Sequence, residues 1–301
     1  MIWAALFAAA IAGAAALAVS FAESAVRVRP ARRTPSTDPE GSEPVTLTTS
    51  DRVLLRGSLA LPREWNGEAA IVLHGFTDTR AGVAAHAGML LQAGYAVLSY
   101  DSRGHGESGG EIVGFGAFEA ADLGEWAEWL CRRLNVDSCI GLGVSMGAAV
   151  LLNALGCRHG ERIRLCIAES PYARFEEVAA IRVADRARLP LRLARIVLAL
   201  PVAIAYAYVR LRYGFDIRRH APIEALGRTR TPVLFIHGDA DRTIPASHSR
   251  RMNAAHPDRT KLVLIPGARH AEPIEVAGET YREHVLAWLA PSRQGAGLQK
   301  L

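Results

Sequence analysis

Gly143-Val144-Ser145-Met146-Gly147 follows the apolar run Cys139-Ile140-Gly141-Leu142 and precedes a small, helix-prone stretch at 148–155. A serine on a sharp turn from strand to helix has a strained backbone. The flanking glycines leave the space that side chains would fill, and the hydroxyl projects above the sheet. A helix starting there also points backbone N–H groups at the same spot, where developing negative charge is stabilised. For such a serine to act as a nucleophile, the rest of the chain must supply a base, a carboxylate and an oxyanion donor.

Two loops downstream carry the right residue types. The apolar run 232–236 is followed by His237-Gly238-Asp239-Ala240-Asp241, with Pro245 a few residues on. The run 262–265 is followed by Pro266-Gly267-Ala268-Arg269-His270. A histidine can take the serine proton and return it to the leaving group, while a carboxylate fixes its tautomer and stabilises the imidazolium. Upstream, His74-Gly75-Phe76 follows the run 70–73, and Asp101-Ser102-Arg103-Gly104-His105-Gly106-Glu107-Ser108 follows the run 95–100.

These five motifs, in this order, resemble those of the α/β-hydrolase superfamily over about 45–289, nearly the whole chain beyond its N-terminal segment. The style is similar to single-domain serine hydrolases of the monoacylglycerol lipase and acyl-protein thioesterase type, some of which carry a membrane tether. The resemblance implies Ser145 as nucleophile, Asp241 as acid and His270 as base. It also implies the backbone N–H groups of Phe76 and Met146 as the oxyanion hole. Asp239 competes with Asp241 as the acid, its other reading being a cap or brace of the loop. His74 reads as a structural brace of the oxyanion loop, and Asp101, Arg103, His105 and Ser108 as holders of a tight loop near the site. Serine, histidine and carboxylate supply nucleophile and proton transfer, so neither metal nor organic cofactor is implied.

The short apolar runs at 70–73, 95–100, 139–142, 165–168, 232–236 and 262–265 have the continuous hydrophobicity of parallel strands buried on both faces. A hairpin at 45–61, turning near Ser50-Asp51, opens the sheet. Helical patterns lie between the strands. In 118–134, Leu123, Trp126, Ala127, Leu130 and Leu134 fall on one face. The alternation predicts an α/β fold with a mostly parallel, doubly wound sheet and its site at the strands' carboxyl ends. Between Ser170 and Thr231 the alternation stops. That length exceeds a simple crossover and predicts a helical cap at 171–230. Its run 189–211 is apolar but punctuated by Arg192, Arg195, Arg210, Pro190 and Pro201.

No charge interrupts 2–22. As a helix rising about 1.5 Å per residue, this run just crosses a hydrocarbon core of roughly 30 Å. It reads as a transmembrane anchor, with a cleaved signal peptide and export as the alternative. Arg27, Arg29, Arg32 and Arg33 follow the run and none precedes it, which favours a cytoplasmic catalytic domain. The expected domains are an anchor at 2–22, a disordered linker at 23–44, the hydrolase domain at 45–290 with its cap, and a frayed tail at 291–301. Net charge is +5, but the basic residues form no stripe interleaved with aromatics, so nucleic acid is not the expected partner. Cys131, Cys139, Cys157 and Cys166 have neither zinc nor redox spacing, and Cys139 and Cys166 sit in strand-like runs as core residues.

The expected function is cleavage of carboxylic esters or thioesters with apolar acyl groups, the substrate being a small-molecule or lipid-like ester met at a membrane. Amide or peptide cleavage by the same residues is the alternative enzyme reading. A tethered binding protein without turnover is the reading from another class.

Overall fold

The computed structural model describes residues 2–27 and 41–296. β1 (Glu43–Thr48) and β2 (Leu54–Ala60) form the antiparallel hairpin expected at the start of the domain. Six strands follow: β3 (Ala69–Leu73), β4 (Ala96–Tyr100), β5 (Cys139–Val144), β6 (Ile163–Glu169), β7 (Val233–Gly238) and β8 (Thr260–Ile265). Among the described residues these eight form one sheet in the order β1-β2-β4-β3-β5-β6-β7-β8. β2 runs antiparallel to β4, and every pairing from β4 and β3 through to β7 and β8 is parallel.

β3, β4, β5 and β7 are buried along their whole length, which is why their sequences are continuously apolar rather than alternating. Successive side chains still divide between two faces. Ile71 and Leu73 pack with Leu123, Trp126 and Leu130 of α3 (Glu119–Leu134), the residues that the helical spacing puts on one side. Ala70 and Val72 pack on the other face with Leu90 of α2 (Ala84–Gln92) and with Tyr281, Val285 and Leu289 of α11 (Glu279–Ala296). α3 ends at Asn135, which takes the left-handed φ of 53° that asparagine tolerates at helix ends.

α4 (Met146–Leu155) is buried at every residue, and its first turn touches β3 directly. A Cβ at Gly147 would lie 2.5 Å from the Leu73 carbonyl oxygen, and one at Gly143 would lie 2.5 Å from the Gly147 carbonyl carbon. The two glycines of the opening motif are therefore there for backbone-to-backbone contact.

Between β6 and β7 lie four helices: α5 (Phe175–Ala187), α6 (Leu191–Val197), α7 (Ala199–Tyr213) and α8 (Pro222–Arg228). α8 packs on α4 and so belongs to the body; α5 to α7 make the cap. α6 and α7 are bent by 65° at their junction. The cap's small apolar crevice, about 100 Å³, lies between Ala180, Val183, Ala194, Leu198 and Val202. α9 (Ser247–Ala255) and α10 (Pro273–Ala277) complete the body.

The two ends differ from the expected boundaries. α1 spans Ile2–Val26, so the residues assigned to the start of a linker at 23–44 continue the helix, and β1 already begins at Glu43. Residues 28–40 of that linker fall outside the described residues. The last turns of α1 do not stand apart from the domain: Ala18, Ala22 and Val26 are buried, and the helix packs on α7. At the other end α11 carries the chain to Ala296, into what was expected as a frayed tail; 297–301 lie outside the described residues. Among the described residues no single helix is long and apolar enough to cross a membrane, and the bent α6–α7 pair meets that test only jointly.

Because α4 meets β3 through Gly147, Gly147→Ala should cost about 1–3 kcal/mol of stability, the range for overpacking a tight contact. A urea unfolding midpoint indistinguishable from that of the parent chain would contradict this packing.

Candidate active site

β3 has β4 on one side and β5 on the other, so the connections after β3 and β5 leave in opposite senses and open a crevice at the strands' carboxyl ends. Ser145 stands at that point. Its φ of 54° and ψ of −110° lie in a region that a side chain tolerates only under constraint. The constraint is visible: its N–H donates to the Glu169 carbonyl at the end of β6, 2.8 Å away, and the glycine contacts fix the turn on either side.

The structure brings together the three side chains expected from separate loops. Ser145 Oγ is 2.8 Å from His270 Nε2, and His270 Nδ1 is 2.7 Å from Asp241 Oδ2. The carboxylate makes Nδ1 the protonated nitrogen and leaves Nε2 to accept the serine proton. Asp241 Oδ1 accepts the Thr243 and Ile244 amides at 2.9 and 2.8 Å. Burial pushes the Asp241 carboxyl up, but hydrogen bonds from His237 and His270 outweigh it and hold the group well below the usual carboxylate range. The Asp241 side chain is fully buried, whereas His270 is 21% exposed and forms the solvent edge of the line. Beside that edge lies an open cavity of about 660 Å³, rimmed by Arg242, Thr243, Arg269 and Glu272.

Asp239 does what its expected bracing role requires. Its Oδ1 accepts the Gly267 amide at 2.7 Å and ties the acid loop to the histidine loop. His237 was no more than part of a motif in the sequence, yet it supports the acid from behind. Its Nε2 lies 2.8 Å from the Ile244 carbonyl and 3.3 Å from Asp241 Oδ2, and its Nδ1 lies 2.8 Å from Ser249 Oγ.

The oxyanion loop passes over the serine: a Cβ on Gly75 would be 3.5 Å from Ser145 Cβ. Among the described residues the amides of Phe76 and Met146 donate to no other carbonyl, which suits them to hold a negatively charged oxygen. His74 braces this loop from beneath. Its Nε2 accepts the Ser102 amide at 2.9 Å, so Nδ1 carries the proton and donates to the Gly75 carbonyl at 2.7 Å. The 101–108 turn is held by charge. Asp101 pairs with the buried Arg80 guanidinium, Arg103 bridges Asp122 and Asp51, and Ser108 Oγ donates to the Asp101 carbonyl at 2.6 Å.

An aromatic wall beside the serine went unforeseen. Phe76 stacks at 5.2 Å on Phe115, which lies 4.4 Å from Phe175 at the start of α5, and Tyr172 adjoins Phe175. Phe115 has a φ of 53°, and its position between Gly114 and Gly116 is the one sequence signal of an unusual backbone there. Among the described residues no group of three or more His, Cys, Asp or Glu side chains is placed to hold a metal ion.

A crevice at the switch point, with a serine, a carboxylate and a histidine on the loops after β5, β7 and β8, defines a class of hydrolase. Comparison with known proteins agrees. The sequence profile of the family described as serine aminopeptidase, S33, matches residues 67–205. An uncharacterized protein of Bacillus subtilis, YqkD, is 31% identical over 221 residues, covering 73% of this chain and 70% of its own. In structure, the Pyrococcus furiosus esterase Pf2001 superimposes with a TM-score of 0.70 over 88% of this chain and 98% of its own, at 23% identity. A lidless α/β serine hydrolase from Xanthomonas campestris, XC6422, gives 0.59 over 86% and 97%, at 20% identity. The chain belongs to the α/β-hydrolase superfamily.

Two tests follow from this geometry. Asp241→Asn should lower turnover by on the order of 10⁴, the cost of losing the carboxylate that sets the imidazole tautomer. Asp239→Asn, which removes only a loop brace, should cost far less; the reverse ranking in equally stable proteins would reassign the acid. The second test concerns His105 and His248, both pushed down to about 4 chiefly by burial, which in His248 outweighs the opposing pull of the Glu177 carboxylate. In the unfolded chain they titrate near 6.5, so between about 6.5 and 4 the unfolded state binds the extra protons. Their contribution is complete above 6.5 and is lost as pH falls towards 4, at most about 3 kcal/mol each. Urea unfolding at pH 7 and pH 4.5 should show this loss, and His105→Asn should flatten it.

Proposed function

We propose that this protein is a serine hydrolase that cleaves carboxylic esters or thioesters of apolar acyl groups through an acyl-enzyme. The observation that carries the reading is the unbroken hydrogen-bonded line from Ser145 Oγ through His270 to Asp241. Ser145 Oγ attacks the carbonyl carbon while His270 Nε2 takes its proton. The carbonyl oxygen, now negative, rests on the Phe76 and Met146 amides. His270 then gives the proton to the departing alkoxide or thiolate, and the C–O or C–S bond breaks. Water, deprotonated by the same nitrogen, frees the acid and restores Ser145. Asp241 stays ionised throughout and stabilises each imidazolium.

The apolar acyl preference is supported by the aromatic wall of Phe76, Phe115 and Phe175 at the foot of the cap. Membrane association is part of the same reading. Leu193, Ile196, Val197, Leu200 and Leu211 are exposed on α6 and α7, interspersed with Arg192, Arg195, Arg210 and Arg212. Such a surface suits the headgroup region, with aliphatic side chains inward and guanidinium groups at the phosphates. The apolar run of α1 acts as its anchor, and the arginines after it keep the catalytic domain on the cytoplasmic side. The esterase name of the P. furiosus neighbour agrees with the chemistry. Amide cleavage by the same residues is the second reading, favoured by the aminopeptidase description of the matching family.

A fluorophosphonate probe should label the parent chain and fail to label folded Ser145→Ala, whose ester turnover should be abolished. Persistent labelling would move the nucleophile elsewhere. On a matched series, kcat/KM should rise with acyl length, by up to about 0.8 kcal/mol per methylene buried. A flat series together with efficient cleavage of the corresponding amides would favour the second reading.

A further inference from the structure

The end of α1 is built into the cap. Ala18, Ala22 and Val26 recur every four residues and so share one helical face, and all three are buried. Two of them are alanines, which lets α1 lie close against α7. Ala22 and Val26 join the same buried cluster as Val113, Phe115, Val209 and Phe215. On the flank of this face, the Glu23 carboxylate accepts hydrogen bonds from the Tyr208 and Tyr213 hydroxyls, each 2.5 Å away.

A second clasp lies just beyond. The Val113 amide donates to the Val26 carbonyl at 2.8 Å, Arg27 and Ile112 form an antiparallel bridge, and the Arg27 guanidinium is 2.9 Å from the Glu111 carboxylate. The held segment 111–113 ends two residues before Phe115. That phenylalanine keeps its left-handed backbone between the rings of Phe76, on the oxyanion loop, and Phe175, on the first residue of α5. Its carbonyl accepts from the Tyr172 hydroxyl at 3.3 Å. One short stretch of α1 therefore holds both the cap helix α7 and the segment that positions the middle ring of the wall beside Ser145.

We infer that residues 18–27 determine acyl selectivity: the helix that the composition marks as a tether also fixes Phe115, and with it the apolar wall against which the acyl chain lies. This rests on the hydrolase reading above. Residues 18–27 act through Phe115 and touch no reacting atom, so their role is positioning. Disturbing the clasp should spare the chemistry at Ser145 and change which acyl chains are preferred.

The experiment uses the full chain in detergent or in vesicles. The double variant Ala18→Leu/Ala22→Leu keeps α1 apolar, so tethering is retained, but its bulk wedges α1 from α7. Glu23→Ala removes the acceptor of both tyrosines and serves as an independent disturbance should the double variant fold poorly. Three readouts are taken: fluorophosphonate labelling, kcat/KM for a twelve-carbon and a two-carbon acyl ester, and hydrogen exchange at Val113. Labelling and two-carbon turnover should stay within about twofold of the parent. The twelve-carbon to two-carbon ratio should fall roughly tenfold, the equivalent of about two buried methylenes, and Val113 should lose protection. Lost protection with an unchanged ratio in both variants overturns the inference while leaving the hydrolase reading intact. Unchanged protection in both also overturns it, since the clasp would then not exist. A parent chain that labels with no probe and cleaves no ester, with Val113 still protected, refutes the hydrolase reading instead and removes the selectivity role with it.

Discussion

Where the first turn of α4 presses on the end of β3, backbone meets backbone, and neither Gly143 nor Gly147 could carry a side chain without collision. That approach sets the position of Ser145 and holds it at a positive φ, a conformation that costs about 1–3 kcal/mol. The surrounding core offsets the strain: α4 is buried along its whole length, against β3, β5 and α8. The same approach leaves Gly75 over the serine and aims the first amide of α4 at the crevice. Ser145 and the amides beside it are thus parts of one rigid junction rather than separate loops that must find each other.

Asp241 and His270 meet Ser145 at that junction but are secured differently. Asp241 is sealed from water and surrounded by donors: two backbone amides, His270, and His237 from behind. In so dry a setting the carboxylate's field on the imidazole is little screened. Asp239 ties the acid loop to the histidine loop, so the Asp241–His270 distance is set by backbone as well as by side chains. The open rim at His270 supplies what the buried part lacks, access to solvent.

Much of this was legible in the chain because the information is local. Glycine spacing, the runs that become β3 to β8, and an Asp or His just past a strand end are all visible within a few residues. The pairing of Asp241 with His270 came from the family resemblance and the bracing parts of Asp239 and His74 from a structural reading of those residues; the contacts found agree with both. What could not be read is contact between distant segments. Phe115 and Phe175 are sixty positions apart and meet only because the cap folds back. His237 is held against Asp241 by Ile244 and Ser249, for which its own neighbourhood has no signature. The docking of α1 on α7 was hidden for a further reason: a proline- and arginine-rich stretch followed it, and composition gave no sign that Ala18 and Ala22 have a partner face.

The sheet order has a consequence for the protein in a crowded setting. β1 and β8 are its outer strands, and each outer strand of an open sheet offers unpaired peptide groups to any passing chain of similar shape. β1 carries Pro44, which has no N–H to offer. β8 carries an exposed Lys261, one of the chain's two lysines, against arginine almost everywhere else. A neighbour seeking to extend the sheet meets a missing donor at one end and a hydrated charge at the other. Both edges thereby carry a residue of the kind that discourages the addition of a further strand.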